Sequence, residues 1–81
     1  MTARPEHATV SISHDLDQAQ HRLACAAELM HGRAARELVL QSGRTRRIRR
    51  MFLDGQVTPG IAQAFLEAAN LIAEQAERGT R

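Results

Sequence analysis

An arginine cluster near the middle of the chain is the densest group of side chains with evident chemistry. It places five arginines within seven residues: Arg44, Arg46, Arg47, Arg49 and Arg50. A guanidinium group pairs with phosphate or carboxylate oxygens, and neutralising a phosphate releases counterions, which adds affinity that is independent of base sequence. The cluster therefore predicts a phosphate-contacting surface. The alternative is a solvated helix face that pairs with Glu67, Glu74 and Glu77, or with acidic groups of another subunit.

The cluster is also amphipathic when it is placed on a helix. Three apolar residues share one side, namely Ile48, Met51 and Phe52. Arg46, Arg49 and Arg50 lie opposite, with Arg47 beside them. No aromatic residue lies on this basic side, where it could stack on unpaired bases. Duplex DNA is therefore favoured over single-stranded DNA or RNA.

A second polar series recurs at helical spacing and consists of Asp17, His21, Cys25 and Glu28. These are ligand types for transition metals, but a single helix seldom supplies a complete site. Cys25 has only His21 near it in sequence, with no third group to orient the pair for nucleophilic catalysis. No glycine-rich phosphate loop or facing carboxylate pair is visible either. We therefore predict no metal, no cofactor, no small-molecule substrate and no enzymatic activity.

Length and composition indicate one small helical domain. The chain has 81 residues, of which 43% are hydrophobic, and two phenylalanines are its only aromatic residues. A core poor in aromatic and β-branched residues suits packed helices better than a β-sandwich. So short a chain buries a small fraction of its surface, and the lone Cys25 cannot close an intrachain disulfide, so association with a second copy is expected. No bilayer-length apolar run or signal peptide is present, which predicts a cytoplasmic protein without membrane contact.

The predicted first helix spans residues 15–41 and starts at a cap formed by Asp15 or Ser13. Its apolar stripe comprises Leu16, Ala19, Leu23, Ala26, Ala27, Met30, Ala34 and Leu38. This stripe keeps its phase across Gly32, which favours one long helix that bends there. The alternative is a break after His31, because glycine is a poor helix former and a common helix terminator.

The N-terminal residues 1–14 are predicted to form a flexible or extended arm. Within it, residues 8–13 alternate between apolar and polar side chains, as a short strand does. Thr9, Ser11 and Ser13, together with the Gly-led segment 32–38, resemble the ribbon-helix-helix repressors, a resemblance that implies paired strands presenting polar side chains to the major groove. Two features depart from that family: the first helix is about one turn longer, and Ser42-Gly43 would shorten the second.

The remaining signals place a short arginine-rich helix after Ser42-Gly43 and end it at Gly55. Thr58 and Pro59 then start a C-terminal helix that runs to about Arg78. The fold expected for residues 15–78 is a single all-α domain, packed as an antiparallel hairpin or three-helix unit.

The C-terminal helix is apolar around much of its circumference, which a three-helix monomer only partly covers. We therefore predict a homo-oligomer with an interface of Leu16, Leu23, Met30, Leu66, Ala69 and Ala73. The leading functional hypothesis is a non-catalytic homodimer that binds nucleic acid, with duplex DNA favoured, in a regulatory or accessory role. The rival hypothesis is a helical adaptor, inhibitor or small chaperone that binds a protein partner in a larger assembly.

Overall fold

The protein folds as three α-helices in the computed structural model, which describes residues 5–79, with side chains from Val10 onward. The helices are α1 (Pro5–Glu28), α2 (Gly32–Leu53) and α3 (Pro59–Gly79), and the described part of the chain contains no strand. The all-α prediction is confirmed. Ser42 Oγ donates to the Gln20 carbonyl, and Arg49 Nε donates to the Ser13 carbonyl. These two hydrogen bonds join α2 to α1, with the later residue of α2 bonded to the earlier residue of α1.

One core joins the three helices. From α1 and α3 it takes mainly leucines and alanines: Leu16, Ala19, Leu23, Ala26, Ala27, Ala62, Leu66, Ala69 and Ala73. The α2 helix adds Leu38, Thr45 and Phe52, which are spaced by seven residues and therefore share one side of the helix. Because so many of these side chains are alanine, the helices can approach one another closely.

The single long helix predicted for residues 15–41 is wrong, and the alternative break is the observed one. Leu29, Met30 and His31 separate α1 from α2, and Gly32 has a φ of 65°. That left-handed conformation is available to glycine at little cost but cannot continue a right-handed helix. The phase of the stripe was misleading because Leu38 reaches the same core from the returning helix, whereas Ala34 is exposed.

The predicted stop at Ser42-Gly43 is also absent, because α2 runs through both residues to Leu53. Ser42 faces α1, where its hydroxyl donates to the Gln20 carbonyl at 3.2 Å. Tertiary packing along Leu38, Thr45 and Phe52 outweighs the poor helix propensity of glycine. The arginine cluster is therefore the second half of a 22-residue helix and not a short helix of its own.

Residues 8–13, which we expected as a strand or extended arm, lie inside α1. In a helix their backbone groups bond within the segment, whereas an isolated strand has no ladder partner. Ile12 packs against the core four residues before Leu16, while Val10 is exposed. The paired strand implied by the ribbon-helix-helix resemblance is thus not seen, and of the predicted arm residues 1–4 lie outside the described part of the chain.

The end of α2 and the start of α3 agree with the sequence signals. Gly55 has a φ of 78°, its N–H bonds the Phe52 carbonyl, and the N–H of Gln56 bonds the Met51 carbonyl. This is the Schellman arrangement, in which glycine terminates a helix and satisfies its last carbonyls. Thr58 Oγ1 then accepts the N–H of Ile61 at 3.2 Å as the N-cap of α3.

Candidate nucleic-acid interface

Positive charge is concentrated on α2. This helix carries seven arginines and a single glutamate, a net charge of +6. The sequences of α1 and α3 each contain more acidic than basic residues, and the whole chain has a net charge of only +2. The near-neutral total therefore hides a strongly basic helix that packs against two acidic ones.

Four members of the arginine cluster are exposed, namely Arg44, Arg46, Arg47 and Arg50. The ion pairs found among the described residues are Arg22 with Glu77 and Glu74 with Arg78, and His21 Nε2 lies 3.7 Å from Asp17 Oδ2. None of these pairs involves the cluster. Among the described side chains, no ion pair joins the arginine cluster to Glu67 or Glu74, and the carboxylate of Glu77 binds Arg22.

Arg49 differs from the other four. Its side chain is half-buried, and Nε donates to the Ser13 carbonyl of α1 at 3.2 Å. The sequence pattern predicts Arg49 on the outer side with Arg46 and Arg50. The buried residues Thr45 and Phe52 define the inner side of α2, and Arg49, four residues after Thr45, lies at the edge of that side and contacts α1. Its guanidinium therefore contributes in part to the contact between α1 and α2.

Two open grooves adjoin on the outer side of α2. The first is bordered by Gly43, Arg46, Arg47 and Arg50, and Asp54 and Gln56 lie at its far end with Met51. The second is bordered by Gly43, Arg44 and Arg47, together with Val39 and Leu40. Gly43 and Arg47 belong to both grooves, so the exposed arginines line one connected basic surface.

Two further arginines of this surface were not predicted from the sequence. Arg33 and Arg36 are exposed on the first turns of α2, and their side chains extend the charged helix toward its N-terminus. Arg36 lies fourteen residues before Arg50, which is about 21 Å along a helix. The assignment of both residues to a long first helix concealed this. The overlooked sequence signal was Gly32, which marks the break between α1 and α2.

Arg22 shows what a paired arginine looks like in this fold. Its Nη2 and Nε atoms donate to the two carboxylate oxygens of Glu77 at 2.6 and 3.2 Å, and its Nη1 donates to Asn70 at 3.4 Å. The hydrogen bond that Arg22 donates to Glu77 raises the pKa of Arg22, although burial acts in the opposite direction. This arginine links α1 to α3 and belongs to the fold.

The residues predicted as an oligomer interface lie within the single chain. Leu16, Leu23, Leu66, Ala69 and Ala73 are buried in the core, and Met30 packs against it. These side chains pack against one another inside the chain and do not form an exposed surface. A surface for a second copy must therefore use other residues, of which Ile61 and Leu71 on α3 are both 55% exposed.

The polar series on α1 does not assemble into a metal site in the described region. His21 lies 3.7 Å from Asp17, Cys25 is a free and exposed thiol, and no group of three or more potential ligands converges. Among the described helices, none is both long and apolar enough to cross a bilayer.

Comparison with known proteins shows no relationship: no family model matches the chain, and neither curated proteins nor solved structures show a significant match.

Proposed function

We propose that the protein is a small non-catalytic helical protein that binds nucleic acid through the exposed arginines of α2, with duplex DNA as the favoured ligand. The observation that carries the proposal is the exposure of Arg44, Arg46, Arg47 and Arg50 without an ion pair in the described structure. Arginines this close repel one another, so the gain from an external anion is large. A polyanion with regularly spaced phosphates supplies that charge along the whole helix.

The shape of the surface favours a duplex. The exposed side of α2 carries arginines along one helix, and an α-helix matches the width of the major groove or lies along a phosphate backbone. Of the two aromatic residues, Phe52 is buried and Phe65 packs against the core. Neither offers a free ring for stacking, which single-strand binding proteins use. Binding through phosphates predicts weak dependence on base sequence.

The proposal is tested by measuring duplex affinity across a salt series for the wild type and for Arg47→Ala/Arg50→Ala. Each lost phosphate contact lowers affinity by roughly eightfold at 0.1 M salt and reduces the salt slope by about 0.9. For two contacts we expect a loss of roughly 60-fold and a slope reduced by about 2. Both side chains are exposed, so the melting temperature of the variant is expected to stay close to that of the wild type.

The matched control is Gln63→Glu/Gln75→Glu, which lowers the net charge by the same two units at exposed positions of α3. We expect this control to lose far less affinity than the α2 variant, since its charges lie off the arginine surface. Equal losses in both variants would show a response to total charge and no specific role of α2. A wild type that does not bind duplex at low salt would refute the proposal.

We further propose that two copies associate through α3. Its exposed apolar residues are Ile61, Ala64, Ala68 and Leu71, with large side chains at the ends and alanines in the centre. The spacing between these residues is three, four and three, so it is the same from either end of the helix. In an antiparallel two-fold pairing Ile61 would face the Leu71 position and Ala64 the Ala68 position, which is the self-complementarity that an isologous interface requires.

Sedimentation equilibrium tests the dimer. We expect twice the 9.0 kDa chain mass for the wild type and a shift toward the single chain for Leu71→Gln. Leu53→Gln is the control, because Leu53 is a similarly exposed leucine at the end of α2. A wild type that remains a single chain at high concentration, or equal dissociation by both substitutions, would contradict pairing through α3.

A protein partner is the second candidate function, and one observation favours it. Val39 and Leu40 are 59% and 56% exposed beside Arg44 and Arg47, and apolar side chains rimmed by arginine are common in protein interfaces. An acidic amphipathic helix would match both features. Co-purification of a stoichiometric acidic protein, with no retained nucleic acid, would favour this function over DNA binding.

A further inference from the structure

Gly43 is a glycine that the fold itself does not require. It lies in the interior of α2, is exposed, and a Cβ atom built there would have no neighbour within 4 Å. The other four glycines lie at helix ends: Gly32 and Gly55 adopt positive φ, Gly60 is in the first turn of α3 with Thr58 Oγ1 4.0 Å from the position of a Cβ, and Gly79 is the last residue of α3. Gly43 has ordinary helical geometry, so alanine would fit without strain.

Glycine at this position also weakens the helix. It loses more backbone freedom on folding than alanine and exposes helix backbone to water, which makes it the poorest helix former apart from proline. An exposed helix position with open space around it would thus gain stability from alanine. Since neither conformation nor packing within the chain explains the glycine, the requirement is expected to lie outside the chain.

The neighbours of Gly43 indicate what lies there. Arg46, Arg47 and Arg50 follow it by three, four and seven residues, and these positions share one side of a helix. Gly43 borders both basic grooves. The missing side chain leaves a notch between guanidinium groups, where a phosphate could come close to the helix backbone. Asp54 is the only carboxylate bordering either groove and lies at the far end of the first.

We infer that Gly43 is the point at which the phosphodiester backbone of bound duplex DNA comes closest to α2, with Arg47 and Arg50 contacting the same strand on one side. This inference rests on the proposed DNA binding and specifies its geometry. A partner helix could also use a glycine for close packing. The phosphate is favoured because arginines border Gly43 in both grooves, while apolar side chains reach it mainly from Val39 and Leu40.

The test is Gly43→Ala, with Gly79→Ala as the control that adds the same methyl group at an exposed helical position of α3. We expect Gly43→Ala to raise the melting temperature by about 4–8 °C, as a better helix former does in a domain of this size. At the same time we expect duplex affinity at 0.1 M salt to fall by roughly tenfold, the scale of one lost phosphate contact. The control should leave affinity unchanged.

The outcomes separate this inference from the proposed function. If the wild type binds duplex and Arg47→Ala/Arg50→Ala weakens it, but Gly43→Ala binds as well as the wild type, the close approach at Gly43 is refuted and DNA binding stands. If the wild type does not bind, both fail. If Gly43→Ala leaves affinity intact and dissociates the dimer or a bound protein, the glycine serves helix packing, which also refutes the inference.

Discussion

Arg22 and Arg47 use the same side chain in opposite ways. Arg22 reaches from α1 to α3, where Glu77 and Asn70 accept three of its hydrogen bonds. Arg47 stands on the outer side of α2, borders both grooves and takes part in none of the ion pairs of the described residues. The fold thus distinguishes two kinds of arginine. Arg22 stabilises the contact between α1 and α3, whereas the exposed arginines of α2 are available to a ligand.

The largest effect expected along α2 comes from Thr45, which lies within the arginine cluster but is fully buried. Thr45→Arg would lengthen the basic run in the sequence, yet its charge would enter the core beside Leu38 and Phe52. An uncompensated buried charge costs about 3–5 kcal/mol, a large part of the stability of a small domain. We expect urea denaturation to show a loss of this size, with partial unfolding at 25 °C.

Thr45→Val is the uncharged control in the same experiment, because it keeps the size of the side chain and removes only the hydroxyl group. The Thr45 hydroxyl donates to the Gln41 carbonyl at 2.7 Å, a bond within α2 that a valine of similar size can lose at little cost. We expect Thr45→Val to lower the free energy of unfolding by no more than about 1.5 kcal/mol, the net value of one hydrogen bond and well below the loss for Thr45→Arg. If Thr45→Arg were as stable as Thr45→Val, Thr45 would belong to the outer surface and the assignment of the α2 faces would be wrong.

Thr45 also shows why the sequence predicted the cluster but not its exact faces. The apolar side of a short helix was inferred from Ile48, Met51 and Phe52, of which only Phe52 is buried. The true inner side is defined by spacing of seven residues from Leu38, which becomes visible only when α2 is known to continue through Gly43. A threonine at the centre of that side gives no hydrophobic signal, so Arg49 was placed outward.

Signals that depend on a few neighbouring residues predicted the structure better. The glycine that ends α2 and the Thr58 cap of α3 require only local backbone geometry, and both are observed. The break at Gly32 and the helical state of residues 8–13 depend on which distant residues pack against them. Hydrophobic periodicity does not predict these two features. One long helix with a continuous apolar stripe and two helices that pack on the same core give similar sequence patterns.

A smaller effect compares the two kinds of arginine directly. Arg22→Met keeps much of the side-chain volume but removes the contacts with Glu77 and Asn70 that join α1 to α3. The Arg22 and Glu77 side chains are each 40% exposed, so solvent screening limits the pair to about 0.5–1 kcal/mol. We expect thermal unfolding to show a decrease of several degrees in melting temperature, whereas Arg47→Met is expected to leave it unchanged.

Arg78→Ala is the matched control, because Arg78 pairs with Glu74 at 2.7 Å in a contact that is more exposed and lies within α3. An exposed pair four residues apart in one helix contributes about 0.3–0.5 kcal/mol, so its loss should be smaller than that of Arg22→Met. Duplex affinity distinguishes the regions further: we expect Arg22→Met and Arg78→Ala to retain it and Arg47→Met to weaken it. If Arg22→Met and Arg47→Met lowered stability equally, exposure and ion pairing would not separate structural arginines from ligand-binding ones, and the functional assignment of α2 would lose its basis.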